Sequence, residues 1–333
     1  MTLCTAWLRK VNNNNELVFA TDSCLSAGER WNTGIKIFDF HRKDCLICFA
    51  GHTYRAYPLI MNAKHLVMSN PTLSNSNTSL PLVKDALLNL FTELTDKIYN
   101  LSSGENLDET RGLANFLFGG WDYQNACFKI WHIYYYQQNK KFLADEIFFD
   151  DSRPAFFIGD NTSDAAESLL TMLRDNKNTE EVKLDMEPFS VLTRISLDDK
   201  YDSIAGPVQL AKVYRSGSSE FFGVIWPSSK GKPTLHGQEY NHHSKPFVKF
   251  INSDNASIIQ EVLPDSITNL NSKYTSNHSD FIEACYNKNI RELNDLDREK
   301  LINIFKELSY SASLNNDTLF LPLETSTMEE GNG

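Results

Sequence analysis

Four apolar runs open the chain: LCTAWLRK at 3–10, ELVFATDS at 16–23, GIKIFDF at 34–40 and DCLICFAG at 44–51. Each is strand-sized and rich in β-branched, aromatic and aliphatic residues, and the polar stretches Asn12–Asn15 and His41–Asp44 read as the turns that pair them. Asp22, Lys36 and Gly51 fall at the ends of these runs, where a sheet would gather them near its first residue, Thr2. Thr2 follows Met1, and a small residue in second position normally lets the methionine be removed. Removal would put a hydroxyl and a free α-amine on one residue, a nucleophile together with its base.

Beyond residue 51 the period of the apolar positions changes. Tyr57, Ile60, Met61, Lys64 and Met68 suit a helix over 53–68 with Pro58 in its first turns. After a polar loop at 69–80, Val83, Leu87, Leu90, Phe91 and Leu94 predict a second helix. Strands return at 113–121, 128–137, 141–149 and 155–158. Helices follow from the caps Asn161 and Thr162 and from Pro188, a favoured first helical residue. Two strands, 208–215 and 220–226, close the pattern. Strands, two helices, strands, two helices, strands is an α+β order. A four-layer αββα sandwich satisfies it, because each sheet then buries both faces. Residues 1–240 are expected to form that domain. Residues 241–333 read as a loop-rich extension with a helix at 298–308 and a disordered tail, TSTMEEGNG.

With 333 residues, 41% of them hydrophobic, the chain can bury a substantial core. Its net charge of -11 argues against nucleic acid as a partner, since no basic surplus offsets phosphate repulsion. The longest apolar stretches are far short of the roughly 20 residues that span a bilayer, so no membrane partner is expected. Six irregularly spaced cysteines read as reduced thiols, which points to a cytoplasmic protein. Cys45 and Cys48 form a C-x-x-C inside an apolar strand, where their side chains point to opposite faces; with no second pair at zinc-like spacing, core packing is expected and no metal or other cofactor. His242–His243 reads as a solvated loop.

Several local motifs, in order, resemble the N-terminal nucleophile hydrolases of the proteasome β-subunit and bacterial HslV-type peptidase class. They are Thr2, Thr21–Asp22–Ser23, Lys36–Ile37–Phe38, Phe49–Ala50–Gly51, Gly120–Trp121–Asp122, Phe157–Ile158–Gly159–Asp160 and Ala205–Gly206–Pro207–Val208–Gln209–Leu210. The resemblance covers about residues 2–226. It implies that the Thr2 hydroxyl attacks a carbonyl with its own α-amine as proton acceptor, that Asp22 and Lys36 stand beside it, and that the Gly51 N–H faces the oxyanion. Ser26 matches a residue touching substrate backbone, and Phe49, next to the glycine, is expected to narrow the pocket for the substrate side chain. Asp160 stands where active proteasome subunits carry a serine. Asp202 and Ser203 lie in the stretch of their later polar pair, with the register open by one residue. Homo-oligomeric rings, a peptide or protein substrate and an activating or unfoldase partner are what the resemblance implies.

The proton balance of these residues can also be argued apart from that resemblance. An α-amine titrates near about 7.7–8.0 and can accept a proton at neutral pH, whereas a lysine near about 10.4 cannot. Lys36 is therefore expected to act as a neighbouring positive charge, with Asp22 orienting it. The bland alternatives are a turn cap for Asp22 and an edge-strand surface residue for Lys36. At the level of function, a non-catalytic structural or regulatory subunit and a small-molecule amidase remain beside the peptide hydrolase.

Overall fold

In the computed structural model, the described residues are 2–11, 14–26, 29–99, 112–175, 184–227, 232–239, 248–259 and 278–287, with 296–297, 300–301 and 303–304 beyond them. The chain divides into two compact units, Met1–Glu261 and Val262–Gly333.

In the first unit, β1 (Leu3–Val11) and β2 (Asn14–Thr21) pair antiparallel from Cys4↔Thr21 to Val11↔Asn14. Asn14 and Asn15 therefore belong to the strand rather than to a turn, because the ladder engages their backbone whatever their side chains prefer. A small ribbon, β3 (Leu25–Ser26) and β4 (Arg30–Trp31), precedes β5 (Ile37–Asp39) and β6 (Cys45–Gly51). Helices α1 (Thr53–Ser69), α2 (Pro71–Ser74) and α3 (Leu80–Asp96) come next, α2 lying in the stretch expected to be loop. Its cap is Asn70, whose side chain accepts from Thr72 and Leu73 N–H.

Strands β7 (Ala114–Asp122), β8 (Cys127–Tyr136) and β9 (Lys141–Glu146) complete a five-stranded antiparallel sheet in the order β5-β6-β7-β8-β9. The other sheet takes in β10 (Ala155–Gly159), β11 (Gln209–Tyr214), β12 (Ser219–Trp226), β13 (Lys232–Leu235) and β14 (Gln238–Glu239), in the order β10-β1-β2-β11-β12-β13-β14. Between β10 and β11 the chain forms α4 (Thr162–Asp175) and α5 (Glu187–Leu197).

The period-2 alternation of the strands sorts their side chains into distinct cores. Ile47, Phe49, Phe116 and Phe118 face α1 and α3, with Ile60, Val83, Leu87 and Phe91. Leu3, Trp7, Val18 and Ala20 face α4 and α5, with Ala165, Leu169, Phe189 and Leu192. The intervening positions, Cys4, Ala6, Leu17 and Phe19 on one sheet and Leu46, Cys48, Ala50 and Leu117 on the other, meet in a core between the sheets. Cys45 and Cys48 accordingly lie in different cores. The fold is mixed α and β, with packed sheets.

Among the described residues past Pro227 the chain adds β13 and β14, then β15 (Phe250–Asn252), which runs parallel to β12, and β16 (Ile258–Ile259), which pairs with β15; the last two stand in the stretch expected to be loop-rich. The first unit thus extends past residue 240, because β15 takes hydrogen-bonding partners on β12. In the second unit, α6 (Ser279–Asn287) contributes Ile282 and Cys285 to a small cluster with Leu301 and Ile304. Lys300, Leu301, Asn303 and Ile304 are helical, in the stretch where a helix was expected; His242, His243 and the terminal TSTMEEGNG lie outside the described residues. Among the described residues no helix is long and apolar enough to cross a membrane.

A buried fork joins the β5–β6 turn to the segment before α3. Arg42 Nε and Nη2 donate to the two Asp44 carboxylate oxygens at 2.8 and 2.7 Å, while Nη1 and Nη2 donate to the carbonyls of Leu73 and Thr78. Arg42→Ala would leave Asp44 buried without its counter-charge. Losing one partner of such a pair costs about 3–5 kcal/mol, and urea unfolding monitored by circular dichroism should show a midpoint lowered accordingly.

Candidate active site

Thr2 leads directly into β1 and is only 1% exposed. Its parity with Cys4 directs its side chain to the space between the sheets. Its carbonyl accepts from the Asp160 N–H at 2.8 Å, which continues the β1–β10 ladder one step past the Leu3↔Gly159 pair. Gly159 makes that approach feasible. It sits at φ +105°, and a Cβ there would come within 1.9 Å of the Thr2 carbonyl oxygen and 2.9 Å of Ala50 Cβ.

Asp22 follows the last residue of β2 and is fully buried. Four donors saturate it. Oδ1 accepts from Leu3 N–H at 3.1 Å and Lys36 Nζ at 2.9 Å; Oδ2 accepts from Cys24 N–H at 3.0 Å and Ala205 N–H at 3.3 Å. Lys36 enters from the residue before β5, also fully buried, and its Nζ donates to Thr2 Oγ1 at 2.6 Å. Stripping water from two such ions costs several kcal/mol each, and their mutual attraction with the backbone donors offsets that cost. The arrangement sets an ammonium against a hydroxyl oxygen. A cation there stabilises negative charge developing on Oγ1 as its proton leaves.

Sequence reasoning missed the layer behind the pair. Gln209, first residue of β11, accepts from Lys36 N–H through Oε1 at 3.0 Å; its Nε2 donates to Ser23 Oγ at 2.8 Å and to the Gly34 carbonyl at 2.6 Å. Ser23 Oγ donates to the Pro207 carbonyl. One amide side chain thereby fixes the backbone on both sides of Ile35, directly ahead of the Lys36 side chain. The β13–β14 turn covers this layer: Gly237 lies so close to Ser23 that a Cβ would come within 2.1 Å of its Oγ. The legible signal was a glutamine opening a fully buried strand.

Thr2, Asp22 and Lys36 are thus brought together by hydrogen bonds, and Asp160 joins them through its backbone. Gly51 ends β6 opposite Ala114 at φ +106°, next to Ala50. Asp202 and Ser203 occupy a turn closed by the Ile204 N–H on the Tyr201 carbonyl, and Asp202 is exposed; it is Ala205, just beyond, that reaches Asp22. Ser26 pairs with Arg30 through its backbone, and its side chain lies outside the description. Phe49 is a correction. It is fully buried on the helix side, edge-on to Tyr57 with centroids 5.5 Å apart, because alternation along β6 turns it away from the face that carries Cys48 and Ala50. What Phe49 offers near Thr2 is its carbonyl, which accepts from Cys4 Sγ. Among the described residues, no three His, Cys, Asp or Glu side chains form a metal-holding group.

No protein-family model matches the sequence, and no curated protein matches it either.

Gly159→Ala should force Thr2 and Ala50 apart and place an alanine at positive φ. The backbone conformation alone costs about 1–3 kcal/mol, so thermal unfolding should shift down and the Thr2 amide resonance should move. In the β13–β14 turn the half-buried His236 ring lies 5.0 Å from Phe221, and burial holds its pKa below the usual imidazole value against an opposing pull from Asp39. A depressed histidine contributes stability that is present above the unfolded value, about 6.5, and lost as pH falls below it. His236→Phe should flatten that acid-side loss, read by unfolding midpoints between pH 5 and 7.

Proposed function

We propose that this chain is a proteasome-like N-terminal threonine hydrolase that cleaves amide bonds in peptides or proteins. The observation that carries the reading is the contact of Lys36 Nζ with Thr2 Oγ1 at 2.6 Å, backed by a four-donor Asp22. A buried lysine aimed at the hydroxyl of the second residue has an economical use if that residue becomes the first. Two helix-covered sheets packed face to face support reading the fold as the four-layer αββα sandwich of that class. All six cysteines are free thiols, in keeping with a cytoplasmic setting.

In the proposed reaction the Thr2 α-amine accepts the hydroxyl proton as Oγ1 attacks the substrate carbonyl carbon. Lys36 stabilises the charge left on Oγ1, and Asp22 keeps Lys36 oriented. The Gly51 N–H donates to the oxyanion, a contribution of about 3 kcal/mol for one such donor. Collapse breaks the C–N bond, the α-amine returns its proton to the leaving amine, and an ester on Thr2 remains. Water, deprotonated by the same amine, hydrolyses it. Ring assembly with copies of the chain and an activating or unfoldase partner belong to the same proposal.

A second reading, a non-catalytic structural subunit, is favoured by one observation: Thr2 is 1% exposed, so the hydroxyl is closed off before any rearrangement. In that case Asp22, Lys36 and Thr2 only hold the strand ends together.

Intact-mass analysis of purified protein should find a chain beginning at Thr2. An epoxyketone, which reacts with both the hydroxyl and the amine of an N-terminal threonine, should label that protein but not Thr2→Ala. The alanine variant should lose turnover of a broad peptide library by several orders of magnitude while keeping its fold and its assembly by light scattering. Retention of Met1, or a free Thr2 that resists labelling and cleaves nothing, sinks the hydrolase reading in favour of the structural one.

A further inference from the structure

The Asp160 carboxylate carries an unexplained feature. Its Oδ2 is buried yet has no hydrogen-bond partner. A buried carboxylate oxygen left unsatisfied is costly, so its surroundings are expected to supply a donor.

The Thr2 amide does not donate to it while Met1 is attached, but an ammonium at the same nitrogen would carry three N–H directions, and the ladder shows which way that nitrogen faces. Leu3 N–H points toward β2, where it meets Asp22. In an antiparallel strand the next residue's backbone groups point the other way. Thr2 follows that rule, since its carbonyl accepts from Asp160 N–H on the β10 side. The Thr2 nitrogen therefore faces Asp160. Gly159 turns the chain at φ +105° directly before Asp160, whose backbone N–H is held on the Thr2 carbonyl at 2.8 Å, so the carboxylate belongs to the residue that faces Thr2 across this last ladder step.

From this juxtaposition we propose that Asp160 is the counter-ion of the Thr2 α-ammonium, holding the amine charged and raising the pH at which it becomes a base. The inference rests on the reading of Thr2 as a chain-terminal nucleophile and adds a pH gate to it. Asp160 acts through the amine, as a positioning residue. Two opposed charges bracket Thr2: Lys36 at its hydroxyl disfavours protonation of the amine, and Asp160 at its nitrogen favours it. Asp22 is committed to Lys36 and to three backbone N–H groups. His52 follows Gly51 at the end of β6, and Asp202 is exposed on its turn. An opposite charge within hydrogen-bonding range shifts a titration by about 1–3 units. The hydrolase should accordingly be throttled at neutral pH and released in mild alkali.

The test uses the full chain with Thr2 exposed by cleavage of an N-terminal fusion and threonine labelled with 13C. The Thr2 Cα and Cβ shifts, followed against pH, report the amine directly, with or without catalysis. The wild-type midpoint should lie above the ordinary α-amine range of about 7.7–8.0. Asp160→Asn and Asp160→Ser should lower it by about 1–3 units, and Asp160→Glu should retain it. If the neutral variants do not fold, a wild-type midpoint within or below the ordinary range overturns the proposal by itself. Coincident midpoints in wild type and Asp160→Asn also overturn it. The acid limb of kcat/KM, measured in parallel, should track the same midpoints. A shifted amine without turnover upholds the charge pair and defeats the hydrolase reading; turnover with coincident midpoints does the reverse.

Discussion

The rest of the site depends on one buried ion pair, Lys36 with Asp22. Both groups are wholly removed from water, and each would be prohibitively costly there alone. What makes the pair tolerable is the convergence of backbone donors from three separate places, Leu3, Cys24 and Ala205, on one carboxylate. Those donors can converge only if the start of β1, the end of β2 and the turn before β11 are all in register. The pair is thus a lock on the fold as well as a chemical group. A misregistered β1 would strand the carboxylate without its partners, and the ladder from Cys4↔Thr21 onward would shift with it.

The two packed sheets give that lock its surroundings. Beside Thr2 the layer between the sheets is lined by small side chains, Cys4 and Ala50, and Gly159 leaves no room for a Cβ next to the Thr2 carbonyl. Larger residues, among them Phe19, Leu117 and Trp121, fill the rest of that layer. Phe49, Phe91, Phe116 and Phe118 fill the outer core under α1 and α3.

Much of this was legible from residue order. Apolar period identified the longer strands and helices through Trp226, though not the short α2 or the β3–β4 ribbon, and Thr2, Asp22 and Lys36 were picked out as polar residues at strand ends. Phe49 was misread because closeness in sequence to Gly51 was taken for closeness in space, whereas alternation sends adjacent strand residues to opposite faces. Gln209 and Ser23 stand in the motifs quoted from the sequence but were given no role, because a supporting hydrogen-bond layer has no periodic signature. The strands β13 to β16 escaped for another reason. They are two to four residues each, set in polar text, and exist because β12 offers them pairing partners rather than because their own sequence favours extension.

The segment leading into Lys36 is gripped on two sides. A side chain at Gly34 would run into Leu25 at 2.0 Å, and one at Gly206, which sits at φ +80°, would strike the Asn32 carbonyl at 2.4 Å. Bulk added at either glycine would push the entrance to β5, and with it the ammonium, away from Thr2. Distant relatives of this chain are therefore better sought by an aspartate closing the second strand and a lysine with glycine two places before it than by any count of identical residues.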